Sequence, residues 1–150
     1  IRLQGGASRG IQCLVPFDDD HYDEPGLPVI GKVAAGVPID SVAHIEKMVP
    51  VRSDLFSPTP DYLLRVQGES MIDIGIFDGD LLAVRKSDHA KHGDIVVARL
   101  NGEVTVKRLD RSQKTLRLLA ENIDFDPIVI TPDAEFFIEG HAVGVIRTAL

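Results

Sequence analysis

Ile95-Val96-Val97-Ala98-Arg99-Leu100, Asn101-Gly102 and Glu103-Val104-Thr105-Val106-Lys107-Arg108-Leu109 follow one another without interruption. Two runs rich in β-branched residues thus flank the dipeptide best able to take the positive φ angles of a two-residue hairpin turn. Residues 94–100 are predicted to pair with 103–109 in register. Side chains alternate across a strand, so Thr105, Lys107 and Leu109 share one face and Val104, Val106 and Arg108 the other. A lysine at such a position is either a solvated, edge-protecting charge or an amine held among apolar neighbours. In the second case Thr105 offers it a hydroxyl acceptor, and Leu109 helps to exclude water.

Outward from this hairpin, short apolar runs alternate with turn signals at the spacing of an all-β domain. The predicted strands are residues 29–34, 44–49, 62–66, 81–86, 95–100, 104–109, 116–120, 128–130 and 136–145, with a short helical turn over 52–56. No long amphipathic helix, internal repeat or low-complexity tract interrupts them. The fold class is therefore mainly β, multi-stranded, with little helix.

The 150 residues suffice for one ordinary domain with a substantial core. Sixteen basic against twenty-three acidic residues give a net charge of −7, which opposes binding of nucleic acid by the chain as a whole. A single cysteine, Cys13, excludes an intrachain disulfide and suits a reducing compartment. No apolar run approaches the ~18–20 residues that span a bilayer, and no secretory signal opens the chain, so a cytoplasmic location without membrane contact is expected. Residues 18–26, Asp-rich and closed by Pro25-Gly26, are expected to form a flexible acidic linker. Metal binding is not expected: His21 stands near carboxylates without ligand spacing, and Asp78-Gly79-Asp80, half a metal site at most, lacks the further ligands of a calcium loop, with Asp73 open to the same two readings. That tripeptide is expected to make a tight turn into the strand at Leu81. No phosphate loop or dinucleotide fingerprint is present, and no cofactor is implied.

Three features carry chemistry. Gly68-Glu69-Ser70-Met71 places a serine beside a glycine at a strand end, where it is a turn residue or a nucleophile. Lys107 is charged at neutral pH with its ordinary pKa of ~10.4, but desolvation would lower that value and free the amine to act as a base. Val33-Ala34-Ala35-Gly36-Val37-Pro38 is either a strand end running into a turn or a peptide of small residues suited to lying extended in a narrow cleft. His21, His44, His89, His92 and His141 leave a Ser–His–Asp arrangement open on sequence alone.

The segments 29–36, 68–84, 104–109, 119–122 and 139–147 together resemble the LexA repressors, a resemblance that covers nearly the whole chain in order. It implies a signal-peptidase-like β fold and a self-cleaving serine peptidase with a Ser–Lys dyad. By resemblance Ser70 is the nucleophile, Lys107 the base, Thr105 its support, Ala35-Gly36 the cleaved bond, and the backbone amides of Glu69 and Ser70 the oxyanion donors. Residues 1–14 resemble the last hairpin of the family's winged helix-turn-helix domain, 15–26 the linker, and 27–150 the peptidase and dimerisation domain. The implied partners are a RecA–single-stranded-DNA filament that promotes cleavage, a second copy bound through the C-terminal domain, and operator DNA for the full-length protein only. Glu69 before the serine and Val37 after the cleavage glycine depart from a common pattern in which polar residues often stand there. The alternatives are a UmuD-like polymerase accessory protein with the same chemistry, and a non-catalytic dimerisation module.

Overall fold

The computed structural model describes residues 26–148. The hairpin remnant (1–14) and, except for Gly26, the linker (15–26) lie outside them. Nine strands form one sheet: β1 (Leu27–Ile30), β2 (Ile45–Val49), β3 (Tyr62–Arg65), β4 (Leu81–Lys86), β5 (Ile95–Leu100), β6 (Glu103–Asp110), β7 (Arg117–Leu119), β8 (Ile128–Val129) and β9 (Phe136–Ile146). Their spatial order is β2-β1-β3-β4-β9-β5-β6-β7-β8. Only β1 and β3 pair in parallel; the other neighbours are antiparallel. Among the described residues no helix is long and apolar enough to cross a membrane.

The central hairpin forms as its turn residues dictate. Asn101 and Gly102 take φ angles of 50° and 89°, and Ile95 pairs with Arg108 through to Leu100 with Glu103. The strands β3 and β4 are apolar at successive positions because both of their faces are covered. Tyr62, Leu64, Leu82 and Val84 enter one buried cluster with Ile30, Met71 and Val97. Leu63, Leu81 and Ala83, pointing the other way, enter a second with Leu27 and Val29. A third cluster, Val96, Ala98, Leu109, Leu118 and Ile138, holds β5, β6, β7 and β9 together.

The eleven-residue β9 joins the two halves of the sheet, pairing with β5 through its first part and with β4 through its second. Its register shifts against both, at Ala83/Val84 and at Val97/Ala98, and such bulges bend a sheet. Gly140 permits the close passage: a Cβ there would stand 2.6 Å from Arg85 O.

Most strand ends differ from the sequence expectation by one or two residues, and two of the differences bear on the site. The first strand ends at Ile30 instead of residue 34, because residues 31–41 leave the sheet as a loop. His44 does not begin a strand; it closes a 3-10 turn (Val42–His44) whose start is capped by Ser41 Oγ, and its ring is buried. The helical turn expected over 52–56 is present as Ser53–Leu55. A third turn, Ile72–Ile74, follows the serine.

Candidate active site

Ser70 stands on the turn that leaves β3. Gly68, at φ 85°, makes the reversal that a side chain would strain. The base of the turn is pinned by two backbone bonds, Val66 N–H to Asp80 O (2.8 Å) and Gly79 N–H to Val66 O (2.9 Å). Asp78 Oδ1 accepts from Gly68 N–H at 2.8 Å, and Asp80 Oδ2 from Phe77 N–H at 2.7 Å. The Asp78-Gly79-Asp80 run is thus a structural turn, as expected. Asp80 is itself held by Arg147, whose Nε and Nη2 donate to its two oxygens at 2.8 and 2.7 Å. That guanidinium keeps the Asp80 carboxyl below the ordinary carboxylate range. After Ser70, the buried Met71 anchors the chain in the core.

Lys107 projects from β6 toward this turn. Its Nζ lies 3.0 Å from Ser70 Oγ and donates to Thr105 Oγ1 at 2.7 Å. The residue is only 8% exposed, and burial pushes its pKa below the ordinary lysine value. The Thr105–Lys107 face read from strand alternation is therefore covered. Leu109, also on that face, is buried in the third cluster with Val96 and Leu118.

The pair opens into a cleft of about 570 Å³, walled by Leu64, Val66, Val104 and Val106 and by the residues that follow β1. Ala35 lines the same cleft at its other end, beside the hairpin tip, where a Cβ on Gly102 would lie 3.4 Å from the Ala35 Cβ. Thr105, whose hydroxyl holds the Lys107 amine, is three strand residues from Gly102, or ~10 Å at ~3.3 Å per residue. The Ala35-Gly36 peptide is held beside the hairpin tip, and among the described residues no hydrogen bond joins it to Ser70. Nor is it extended. Val37 N–H donates to Ala34 O at 3.3 Å and Gly36 has φ 77°, so Ala35-Gly36 forms the middle of a turn that calls for glycine at its second central position. A Cβ on Gly36 would meet nothing within 4 Å. In this arrangement the glycine serves backbone conformation, which is the turn reading of the two that the sequence left open.

Two side chains hold the turn in place. Arg99, buried on β5, donates through Nη1 to Ala34 O (3.3 Å) and through Nη2 to Val37 O (2.8 Å), while its Nε binds Glu139 Oε2 at 3.1 Å. The His44 ring accepts from Ala34 N–H at Nε2 (3.0 Å), which leaves Nδ1 to donate to Ile39 O (3.1 Å). Sequence reasoning misses Arg99 and counts His44 only among the histidines of an alternative triad. An arginine inside an otherwise apolar strand was the available clue.

None of the described histidines hydrogen-bonds to Ser70. His89 pairs with the neighbouring Asp88, His92 accepts from Arg111 N–H, and His44 binds the loop. Among the described residues no group of three or more His, Cys, Asp or Glu side chains could hold a metal ion. His21 lies outside them.

A serine and a desolvated lysine in one cleft of a mainly β sheet define a peptidase class, and residues 28–143 match the family described as Peptidase S24-like. The chain is 53% identical over 149 residues to a LexA repressor of Glaesserella parasuis serovar 5 (strain SH0165), covering 99% of the chain and 71% of that protein. It is 52% identical over 151 residues to that of Dechloromonas aromatica (strain RCB), covering 100% and 71%. With that of Bordetella pertussis (strain Tohama I / ATCC BAA-589 / NCTC 13251) the identity is 51% over 156 residues, covering 99% and 72%. The chain belongs to the LexA repressor family, and so to the self-cleaving transcriptional repressors of the SOS response.

Proposed function

We propose that Ser70 and Lys107 are the catalytic dyad of this repressor and that the bond they cut is Ala35-Gly36. The observation that carries the assignment is the 3.0 Å approach of Lys107 Nζ to Ser70 Oγ, with the amine desolvated and, among the described residues, without a carboxylate partner. An acidic neighbour would hold the amine charged; the hydroxyl of Thr105 orients it instead. In the neutral form Lys107 takes the Ser70 proton as Oγ attacks the Ala35 carbonyl carbon. Negative charge then gathers on the Ala35 oxygen, where the backbone N–H groups of Glu69 and Ser70 are the donors assigned to receive it. Among the described residues neither amide is committed to a protein acceptor. As the tetrahedral intermediate collapses, protonated Lys107 passes its proton to the Gly36 nitrogen, and that amine leaves. Water then releases Ala35 from Ser70 by the same steps in reverse order of roles.

Because the bond rests as a turn held by Arg99 and His44, the loop has to leave them, extend and reach Ser70 before attack. Its tethering makes the encounter intramolecular, so the fraction of time spent docked scales the rate. A RecA–single-stranded-DNA filament is assigned the role of raising that fraction. Residues 27–150 are assigned to the peptidase and dimerisation domain, operator DNA to the DNA-reading domain of the full-length protein, and the cytoplasm to both. In the sheet β9 is paired along both edges, so a homodimer formed there must use side chains, and Phe137 and Val145 are exposed on it.

The test is incubation at alkaline pH followed by mass spectrometry. Fragments ending at Ala35 and beginning at Gly36 are expected. Ser70→Ala and Lys107→Ala should each slow their appearance by at least ~10³–10⁴-fold, since nucleophile and base act as a unit. Near-normal cleavage in either variant would overturn the dyad.

A further inference from the structure

Residues 121 and 122, just beyond β7, run alongside the serine turn. Glu121 N–H donates to Ser70 O at 2.7 Å, and Asp73 N–H returns a bond to Glu121 O at 2.9 Å. The next side chain reaches one peptide further back: Asn122 Nδ2 donates to Glu69 O at 2.9 Å. Its Oδ1 accepts from Asp124 N–H at 3.0 Å, which determines which end of the amide faces Glu69. The whole segment is fastened to β6 by Arg108 Nε on Glu121 Oε2 at 2.8 Å, one residue from Lys107.

The geometry of a peptide group gives these bonds a consequence. The Glu69 carbonyl and the Ser70 N–H belong to one planar trans unit, so they point in opposite directions. A donor that holds the carbonyl toward Asn122 holds the N–H away from it. The other bond on Glu69 O, from Ile72 N–H at 3.4 Å, is long and leaves the plane less constrained. We infer that Asn122 is a positioning residue for catalysis: by gripping Glu69 O it aims the Ser70 amide at the oxygen that becomes negative during attack. The inference rests on the Ser70–Lys107 assignment above. It adds a residue that touches neither the reacting atoms nor the lysine.

The experiment compares first-order self-cleavage of the full chain from about pH 7 to 10 in Asn122→Ala and Asn122→Asp. The aspartate retains the acceptor for Asp124 N–H and the side-chain shape, but presents no N–H to Glu69. Both variants should reach a plateau at least ~10-fold lower, within the ~10²–10³-fold that loss of a complete oxyanion donor costs. In Asn122→Ala the midpoint of the alkaline rise should stay where it is, because the surroundings of Lys107 are untouched. The midpoint is read from that variant alone, since the aspartate adds a charge. A wild-type plateau in Asn122→Asp would reduce Asn122 to a turn residue and overturn the inference. So would a shifted midpoint at an unchanged plateau in Asn122→Ala, or loss of the folded state in both variants by thermal melt. Ser70→Ala measured in parallel separates the two levels: cleavage persisting there removes the dyad itself, whatever Asn122 does.

Discussion

At the scale of single residues the proposed chemistry turns on the protonation of one amine. Lys107 is covered by protein, and desolvation is what depresses its pKa. Between the folded value and the unfolded value of ~10.4 the unfolded chain holds more protons than the folded one. The folded state with this lysine buried therefore gains stability as pH rises through that window, and the full gain is present above it. The same rise populates the neutral amine. Unassisted cleavage is accordingly expected to be slow near neutrality and to accelerate into the alkaline range, as first-order rates from pH 6 to 10 would show. A histidine base would reach its plateau just above pH ~6.5. A plateau complete by pH 7.5 would count against Lys107.

At the scale of elements the loop between β1 and β2, the proposed substrate, is held in the wrong shape for attack. Arg99 and His44 together bind the N–H and the carbonyl of Ala34, the carbonyl of Val37 and that of Ile39. Hydrogen bonds to a charged donor are worth more than neutral ones, ~1.5–3 kcal/mol against ~1. Arg99→Gln should therefore shift the loop toward the cleft and speed unassisted cleavage by about 10-fold, a shift of ~1.4 kcal/mol in the docking equilibrium. A slower rate would mean that the clamp acts on the docked loop. Gly36→Asp should act in the opposite sense. Its side chain at φ 77° strains the resting turn, but it also adds bulk and charge to a residue that must fit the cleft beside Ser70, and that second effect governs the rate. Loss of cleavage with an unchanged thermal melt is expected. Cleavage at the wild-type rate would place the cut elsewhere.

For the whole molecule the sheet order decides which surfaces are free. Its outer strands are β2 and β8, whereas β9 is enclosed between β4 and β5. A dimer assembled on β9 thus depends on apolar side chains, among which Phe137 is 54% and Val145 37% exposed. Phe137→Glu and Val145→Glu should each raise the dimer dissociation constant by at least ~10-fold, as expected for a charge placed among interface anchors. Sedimentation equilibrium would measure it. Unchanged association in both variants would move the interface to another face.

The residues themselves determined whatever depends on near neighbours. Asn101-Gly102 specified the hairpin because few other pairs take its two positive φ angles, and alternation put Thr105 and Lys107 on one face. The nine strands were legible for the same reason, with errors where a loop residue looked apolar enough to extend a strand, as at residues 31–34. Ser70, Lys107 and the small residues around Ala35 were recognisable from their order along the chain, but their mutual distances were not. Only the tertiary structure decided that Lys107 is desolvated, that the turn at Ala35-Gly36 rests by Gly102, and that Arg99 and Asn122 grip backbone carbonyls. Those contacts join residues 62 and 53 positions apart, Arg99 to Val37 and Asn122 to Glu69. An arginine or an asparagine carries no local mark of which distant carbonyl it will meet, because that depends on how β9 brings the two halves of the sheet together.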